Sequence, residues 1–546
     1  MPDLSLVRRQ FLSLLPGLLP AAKAAASPRS TGVWLQNVDA EHATLFWLDP
    51  SGRRAERKRV TGLEPATEYS FDLEAGAAKF RTARRDGVAR LLAFGDSGSQ
   101  DPQQKILADR MEQETVDLVL HTGDLAYPAG AHEDLVNGYL AVYRAMMSRL
   151  PFFAAPGNHD YATEDAAPFL ALHEAPECRV PEKDRGRYYS FDWGGVHFIS
   201  LDSNRPLLDA VEGKGEMLRW LEQDLQRASG AFFKIAFFHH PPYAGGPNQE
   251  HVMTQLARRH LAPILERHGV QLVLTSHEHS YQRSHPIRNG ARVEAGHGAV
   301  YVTSGGGGAM LYPVYPMEQV ALGVSAHHYL RLEISGAKLK LEAVGIDGDI
   351  LDTIELAPRP EMYDGGLKSV AGDPGRIAAG GMVSLFGRNL ACGGGSLKLS
   401  VNGRPAVVLY ASPVQINAAL PPDVRGRALL RLETENGVAE TVLELVDAAP
   451  GILAVAHLDG ELVSAAKPGR AGGRILALAA GLGAGKPEAF FESNAAQVVA
   501  AGMDPRIPGL QRVEITVPSM AAGSHQLRLR SGGFSSNAVA VAVSGP

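Results

Sequence analysis

VDLVLHTGDLAYPAG, residues 116–130, holds the pattern from which the rest of the chain can be read. The run from Val116 to His121 is apolar and short, as a buried strand is. It stops on Gly123-Asp124, with Tyr127 three residues later. A carboxylate at the end of a buried strand is costly to keep ionised unless a partner sits beside it. One such tetrad means little, so the other strand ends matter. ARLLAFGD ends on Gly95-Asp96, and FFAAPGNHD ends on Gly157-Asn158-His159-Asp160. KIAFFHH ends on His239-His240, and QLVLTSHEH ends on His277-Glu278-His279. PQQKILADRMEQE and LVNGYLAVYRAMMSRL, which lie between the first three, have helical spacing. Strands alternating with helices make the region from Ala89 to about Leu356 an α/β domain. Ligands of open α/β sheets sit beyond the carboxyl ends of the strands. Asp, Asp, Tyr, Asn and several His are therefore expected to converge. That is more than one ion needs, and oxygen with imidazole donors suits two ions of iron, zinc or manganese type rather than calcium. The glycines before Asp96, Asp124 and Asn158 are expected to let the backbone turn sharply.

The chain has 546 residues, too many for one core, and its 45% apolar and 21% charged content is globular. A net charge of −6 gives no reason to expect nucleic acid as a partner. Basic RRAERKR at 53–59 reads as a solvated hairpin face. The 59 Gly and 35 Pro lean toward β-structure. Cys178 and Cys392 fall in different expected domains, so no disulfide framework is expected. Residues 1–29 have Arg8-Arg9, an apolar stretch from Phe11, and Ala24-Ala25-Ala26. That layout is a cleaved export signal, and Arg8-Arg9 followed by Gln10-Phe11-Leu12 resembles the twin-arginine type. The expected location is thus periplasmic or extracellular. No transmembrane segment is expected.

Residues 30–85 alternate in short strands, and Leu63, Pro65, Thr67 and Tyr69 resemble the tyrosine corner of a fibronectin type III sandwich. The unit is short for that fold, so strands are expected to be missing. The catalytic region is set at 86–357, followed by a Pro- and Gly-containing linker at 358–375. Beyond it the sequence repeats: GRIAAGGMVSLFGRNL answers GRAGGRILALAAGLG, and Pro421 answers Pro518. Two immunoglobulin-like β-sandwiches, 376–449 and 450–546, are expected. VSLFGRNL, VLYASPVQINAALP and AAPGI resemble a C-terminal module of secreted proteins from Solibacter-type acidobacteria.

The series of strand ends resembles the calcineurin-like metallophosphoesterases, and Gly123-Asp124-Leu125-Ala126-Tyr127 resembles their purple acid phosphatase branch. The resemblance spans about residues 31–340 and includes the fibronectin-like module. It implies a four-layer α/β/β/α sandwich and two metal ions. Asp96, Tyr127 and His279 would hold iron(III). Asn158, His239 and His277 would hold a divalent zinc, manganese or iron ion, and Asp124 would bridge the pair. With Asp124, His159 completes the catalytic pair: it is not a ligand, but lies beside the phosphate and protonates the leaving oxygen or steadies the transition state. The implied reaction is hydrolysis of a small-molecule phosphomonoester by hydroxide held on the metals. Two departures stand out. Ser276 replaces the family's glycine before His277. The loop HPPYAGGPNQEHVM offers only His240 and His251 where the family has further histidines. His251 is the candidate substrate contact, and His240 is expected to brace the turn. A phosphodiesterase using the same metals is the alternative within enzymes. A surface adhesin with a relict catalytic domain is the alternative from another class, and the complete ligand set argues against it. The β-modules suggest contact with a cell surface or polysaccharide. His121 and His197 are expected to be satisfied core residues, Tyr281 a packing residue, and Gly305–Gly308 a turn rather than a phosphate cradle.

Overall fold

The computed structural model describes residues 32–545, so the expected export signal at 1–29 lies outside the described residues. The chain divides into two units, Met1–Pro358 and Arg359–Pro546. The first unit opens with an antiparallel sheet of β1 (Trp34–Gln36), β2 (His42–Leu48) and β3 (Ala55–Thr61), followed by a hairpin of β4 (Glu68–Leu73) and β5 (Gly76–Arg81). The hydroxyl of Tyr69 accepts from the backbone N–H of Glu64 at 2.9 Å, the upstream bond that a tyrosine corner makes. Among the described residues the module has five strands. So small a module buries little by itself. Trp34 and Phe46 are instead buried in one cluster with Tyr143, Phe169 and Leu172 of the following domain. Trp34 Nε1 also donates to the Leu172 carbonyl at 3.3 Å. In the basic run, Arg57 and Arg59 pair with Glu174 and Glu177 at 3.0 and 2.6 Å.

Two mixed sheets follow. β6 (Ala89–Phe94), β7 (Leu118–His121) and β8 (Phe152–Ala154) run parallel. The other sheet begins with β9 (Tyr189–Trp193), β10 (Val196–Ser200), β11 (Phe233–Phe237), β12 (Leu272–Thr275) and β13 (Tyr281–Ser284). After a small hairpin, β14 (Ile287–Arg288) and β15 (Ala291–Arg292), come β16 (Val300–Ser304) and β17 (Val320–Val324). Then β18 (His328–Ser335), β19 (Lys338–Gly345) and β20 (Ile350–Leu356) return to the first sheet. The orders are β20-β19-β18-β6-β7-β8 and β17-β13-β16-β12-β11-β10-β9. Strand alternation places the cores. Leu92 and Phe94 of β6 join helix 102–111 and helix 141–147 in one outer cluster, whereas Leu91 and Ala93 are fully buried on the opposite face. Ile199, Ala236, Val273 and Tyr301 form the matching cluster with helices 217–227 and 262–267. Between the sheets Phe153 stacks on Phe191 with ring centroids 3.8 Å apart, and Tyr189 donates to the Ala154 carbonyl at 3.0 Å. The result is helices, sheet, sheet, helices, the expected four-layer α/β/β/α sandwich.

His197 of β10 is a core residue with two acidic partners, Asp192 at 2.7 Å and Asp224 at 2.9 Å. Burial opposes its protonation, but the bonds to Asp192 and Asp224 outweigh burial and raise its pKa to about 9. A raised imidazole pKa stabilises the fold fully below the unfolded value near 6.5, and that stability is lost as pH climbs toward 9. The wild type is expected to lose on the order of 2 kcal/mol more than His197→Gln between those limits. Thermal melts of both proteins across that pH range test this; parallel losses would contradict it.

The second unit contains the same sheet order twice. One sheet runs 361–369, 382–388, 415–419, 407–411 and repeats as 451–456, 474–480, 511–516, 498–503. Its companion runs 377–378, 437–446, 426–434, 397–401, 404–405 and repeats as 469–470, 539–544, 523–531, 488–491, 494–496. Each pair of sheets closes on its own apolar cluster. The expected linker at 358–375 is corrected here: Glu361–Ser369 is the first strand of the first repeat. Met362 and Leu367 pack against its core, and Gly365-Gly366 absorb a register shift between them. Those glycines, which suggested a linker, form a bulge. Cys178 and Cys392 are both free thiols.

Candidate metal centre

All seven predicted donors meet at the carboxyl ends of the central strands. Asp96 follows β6, and Asp124 and Tyr127 follow β7. Asn158 follows β8, His239 follows β11, and His277 and His279 follow β12. The Tyr127 hydroxyl lies 3.3 Å from Asp96 Oδ1, 3.2 Å from Asp124 Oδ2 and 3.3 Å from His279 Nε2. His239 Nε2 lies 2.9 Å from Asn158 Oδ1, 3.2 Å from His277 Nδ1 and 3.4 Å from Asp124 Oδ2. Asp124 is thus common to two groups of donors. For two of the three histidines the other ring nitrogen is engaged: His239 Nδ1 is 3.0 Å from Ser276 Oγ and 3.2 Å from the Thr122 carbonyl, and His279 Nδ1 is 2.7 Å from the Met310 carbonyl. Such bonds fix the tautomer that leaves Nε2 as the ligating atom.

The loops hold this arrangement by close approach. Asp96 and Asp124 themselves take positive φ, 55° each, so the strained turn lies on the carboxylate residue. A Cβ on Gly157 would lie 2.0 Å from Asp124 Oδ1, and one on Gly95 2.3 Å from Thr122 Oγ1. At these two positions glycine supplies room rather than an unusual dihedral, whereas Gly123, before Asp124, takes φ 107° and makes the sharp turn expected of it. Ser276 fits opposite Gly95 and donates to the Thr122 carbonyl at 2.8 Å. Asp160 went unread in the sequence. Its buried carboxylate accepts from the N–H groups of Gly157 (2.7 Å), Asp124 (2.9 Å) and Leu125 (3.1 Å), tying two donor loops together. Burial, then the neighbouring Asp124, raises its pKa to about 8. Gly305–Gly308 line no phosphate cradle. Gly307 N–H donates to the Gly95 carbonyl and Ala309 N–H to the Asp96 carbonyl, both at 3.0 Å.

His159 Nδ1 lies 2.6 Å from the Pro128 carbonyl, and its Nε2 faces Asp124 Oδ2 at 4.0 Å. Its ring rests against Tyr127, and it is partly open to solvent. His240 is fully buried; its backbone N–H donates to Ser203 Oγ at 3.0 Å, which braces the turn. Its ring lies 4.5 Å from that of His277 and 5.5 Å from that of His251. His251 therefore reaches the site, 5.3 Å from the His277 ring. His121 bonds Ser97 at 2.9 Å, and Tyr281 donates to Asp352 at 2.7 Å, so neither adds a donor.

The electrostatics of the site favour cations. Burial, reinforced by Asp124 and Asp96, pushes the Tyr127 phenol well above 10. Burial opposes the charge on Asp124, yet His239 and His159 hold its carboxyl well below the usual range. Burial would lower His239, but Asp124 outweighs it and raises the imidazole to about 9. His277 is held well below 6.5 by burial and by His239, and its Nε2 is buried with no hydrogen-bond partner. Asp96, Asp124 and His239 offer ligand atoms within 4.8 Å of one another, as do His239, His240 and His277. Crowded oxygen donors beside an unsatisfied buried imidazole nitrogen fit metal ions.

Residues 89–281 match the family of calcineurin-like phosphoesterases, so the chain contains a calcineurin-like metallophosphoesterase domain. Human acid phosphatase type 7 is 27% identical over 391 residues, which cover 59% of this chain and 86% of that protein. The mouse protein of the same name is 26% identical, covering 55% and 76%. Purple acid phosphatase 21 of Arabidopsis thaliana is 27% identical, covering 46% and 57%. A purple acid phosphatase from yellow lupin shares the fold with a TM-score of 0.51 at 18% identity, covering 60% of this chain and 74% of that one. These relatives indicate a phosphoric ester hydrolase. Among the described residues no helix is long and apolar enough to cross a membrane.

Proposed function

We propose that the chain is an exported phosphomonoesterase of the purple acid phosphatase type, working with two metal ions. The observation that carries this is the Tyr127 hydroxyl set 3.2–3.3 Å from Asp96, Asp124 and His279. In this reading Asp96, Tyr127 and His279 hold iron(III), and Asn158, His239 and His277 hold a divalent zinc, manganese or iron ion. Asp124 is shared between them. When bound, such a pair activates water near neutral pH and neutralises charge on a phosphoryl group. His159 anchors through Nδ1 to Pro128, which leaves Nε2 to hold a proton for the departing alcohol oxygen. His251, its ring 5.3 Å from that of His277, serves as a substrate contact. The N-terminal strands serve as a fibronectin III-like support. The two C-terminal repeats serve as immunoglobulin-like modules that contact a cell surface or polysaccharide and take no part in the reaction.

Two experiments test this. A phenol titrates near 10 in water and is ionised only by a highly charged ion. The oxidised protein is therefore expected to be pink to violet, and Tyr127→Phe to bleach it while it still hydrolyses an aryl phosphomonoester faster than the matching diester. A coloured Tyr127→Phe protein would remove Tyr127 from the site; faster diester hydrolysis would favour the phosphodiesterase. Truncation after Pro358 is expected to leave a folded, active hydrolase, because every donor lies in the first unit, which has its own cores. A folded but inactive truncation would give the repeats a part in the site.

A further inference from the structure

We infer that the site selects phosphomonoesters of uncharged, aromatic alcohols over substrates that carry a second phosphate. The inference rests on the phosphomonoesterase reading and concerns the leaving group alone. Hydrolysis joins the oxygen of water to phosphorus, breaks the ester P–O bond and returns one proton to the alcohol oxygen. What the alcohol meets is set by the rim of the site.

On one side that rim is the irregular segment from Gly305 to Gln319. It is tied to the donors at several points. The Met310 carbonyl pairs with His279 Nδ1, and Tyr312 N–H donates to the His279 carbonyl at 2.9 Å. The Tyr312 ring lies flat on His279, centroids 4.0 Å apart and planes 7° apart. Tyr315 N–H then donates to the Gly245 carbonyl at 3.2 Å, joining this segment to the loop that carries His251. A Cβ on Gly245 would lie 1.9 Å from the Tyr315 carbonyl, so the two loops touch backbone to backbone. The two residues whose backbone makes these ties leave large apolar side chains in solvent: Met310 is 76% and Tyr315 43% exposed. Exposed aromatic and thioether groups beside a polar centre are the usual lining of a small-molecule pocket.

Charge supports the same class. The loops that carry the donors read DSGSQD (96–101), DLAYPAGA (124–131), GNHDYATE (157–164), HHPPYAGGPNQEH (239–251) and SHEHS (276–280), and the segment packed on them reads GGGGAMLYPVYPMEQ (305–319). None contains Lys or Arg, and Asp101, Glu164, Glu250 and Glu318 lie among them. A second phosphate is recognised by forked or clustered cations. These loops offer it carboxylates instead.

The test compares kcat/KM of the full-length, metal-loaded protein for 2-naphthyl phosphate, phenyl phosphate and pyrophosphate. The two aryl esters have leaving groups of similar acidity and differ in apolar area. The naphthyl ester is expected to be preferred about 5- to 20-fold, the scale of added apolar contact in a pocket. Pyrophosphate is expected at least about 10-fold below phenyl phosphate, the cost of an unpaired charge at the rim. In Met310→Ser/Tyr315→Ser the naphthyl-to-phenyl ratio is expected to fall to about one, with metal content by mass spectrometry unchanged. Equal rates for the two esters, a ratio that survives the double substitution, or a preference for pyrophosphate would each overturn the inference and leave the phosphatase reading intact. A metal-loaded protein that hydrolyses none of the three would overturn both.

Discussion

Asp124→Asn is expected to lose both metal ions and to reduce phosphomonoester hydrolysis to background, a loss on the order of 10⁴-fold or more, as when a whole catalytic unit fails. Asp124 does two things at once. Its Oδ1 accepts from the His159 backbone N–H at 2.9 Å, and its Oδ2 faces both Tyr127 and His239. Asparagine preserves the first interaction and removes the charge from the second. Without that charge, two cations would face each other with less screening, so both affinities are expected to fall together. Metal content and circular dichroism of the purified variant decide the matter. A folded Asp124→Asn protein that keeps two metals per chain and near-normal turnover would end the shared role.

The second large effect is expected at His159. His159→Ala is expected to keep its metals while turnover falls about 10²- to 10⁴-fold, the scale of a lost general acid or base. The geometry separates His159 from the donors: Nδ1 is engaged by the Pro128 carbonyl, and Nε2 stands 4.0 Å from Asp124. His159→Asn can still donate to Pro128 but cannot carry the proton, so its loss is expected to match that of the alanine variant. If either substitution empties the metal site, His159 is a ligand and its assigned role is wrong.

The clustering of donors was legible because strand ends have a fixed meaning in an α/β sheet. An apolar run that stops on Asp96, Asp124, Asn158, His239 or His277 can only deliver those side chains to one edge of the domain. The tandem repeat was legible for a similar reason, since equal spacing of matching segments survives folding. Features that depend on close approach in three dimensions were not. Asp160 follows His159 in sequence, but its work is to accept three backbone N–H groups from two loops, and no spacing announces that. Gly305–Gly308 resembles a phosphate loop in one dimension; only the fold shows its backbone spent on the carbonyls of Gly95 and Asp96. The strand Glu361–Ser369 was hidden because Gly365-Gly366, which make its bulge, are also what a linker contains. The wall formed by Met310, Tyr312 and Tyr315 has no periodicity at all, and contacts with His279 and Gly245 alone place it at the site.

The central claim is a two-metal centre built on a tyrosine, and metal stoichiometry of the purified wild-type chain tests it most directly. Inductively coupled plasma mass spectrometry, after removal of loosely bound ions, is predicted to find two metal ions per chain, one of them iron. A single metal per chain, or none, would contradict the dinuclear centre; two metals without iron would contradict the assignment of Tyr127 to iron(III).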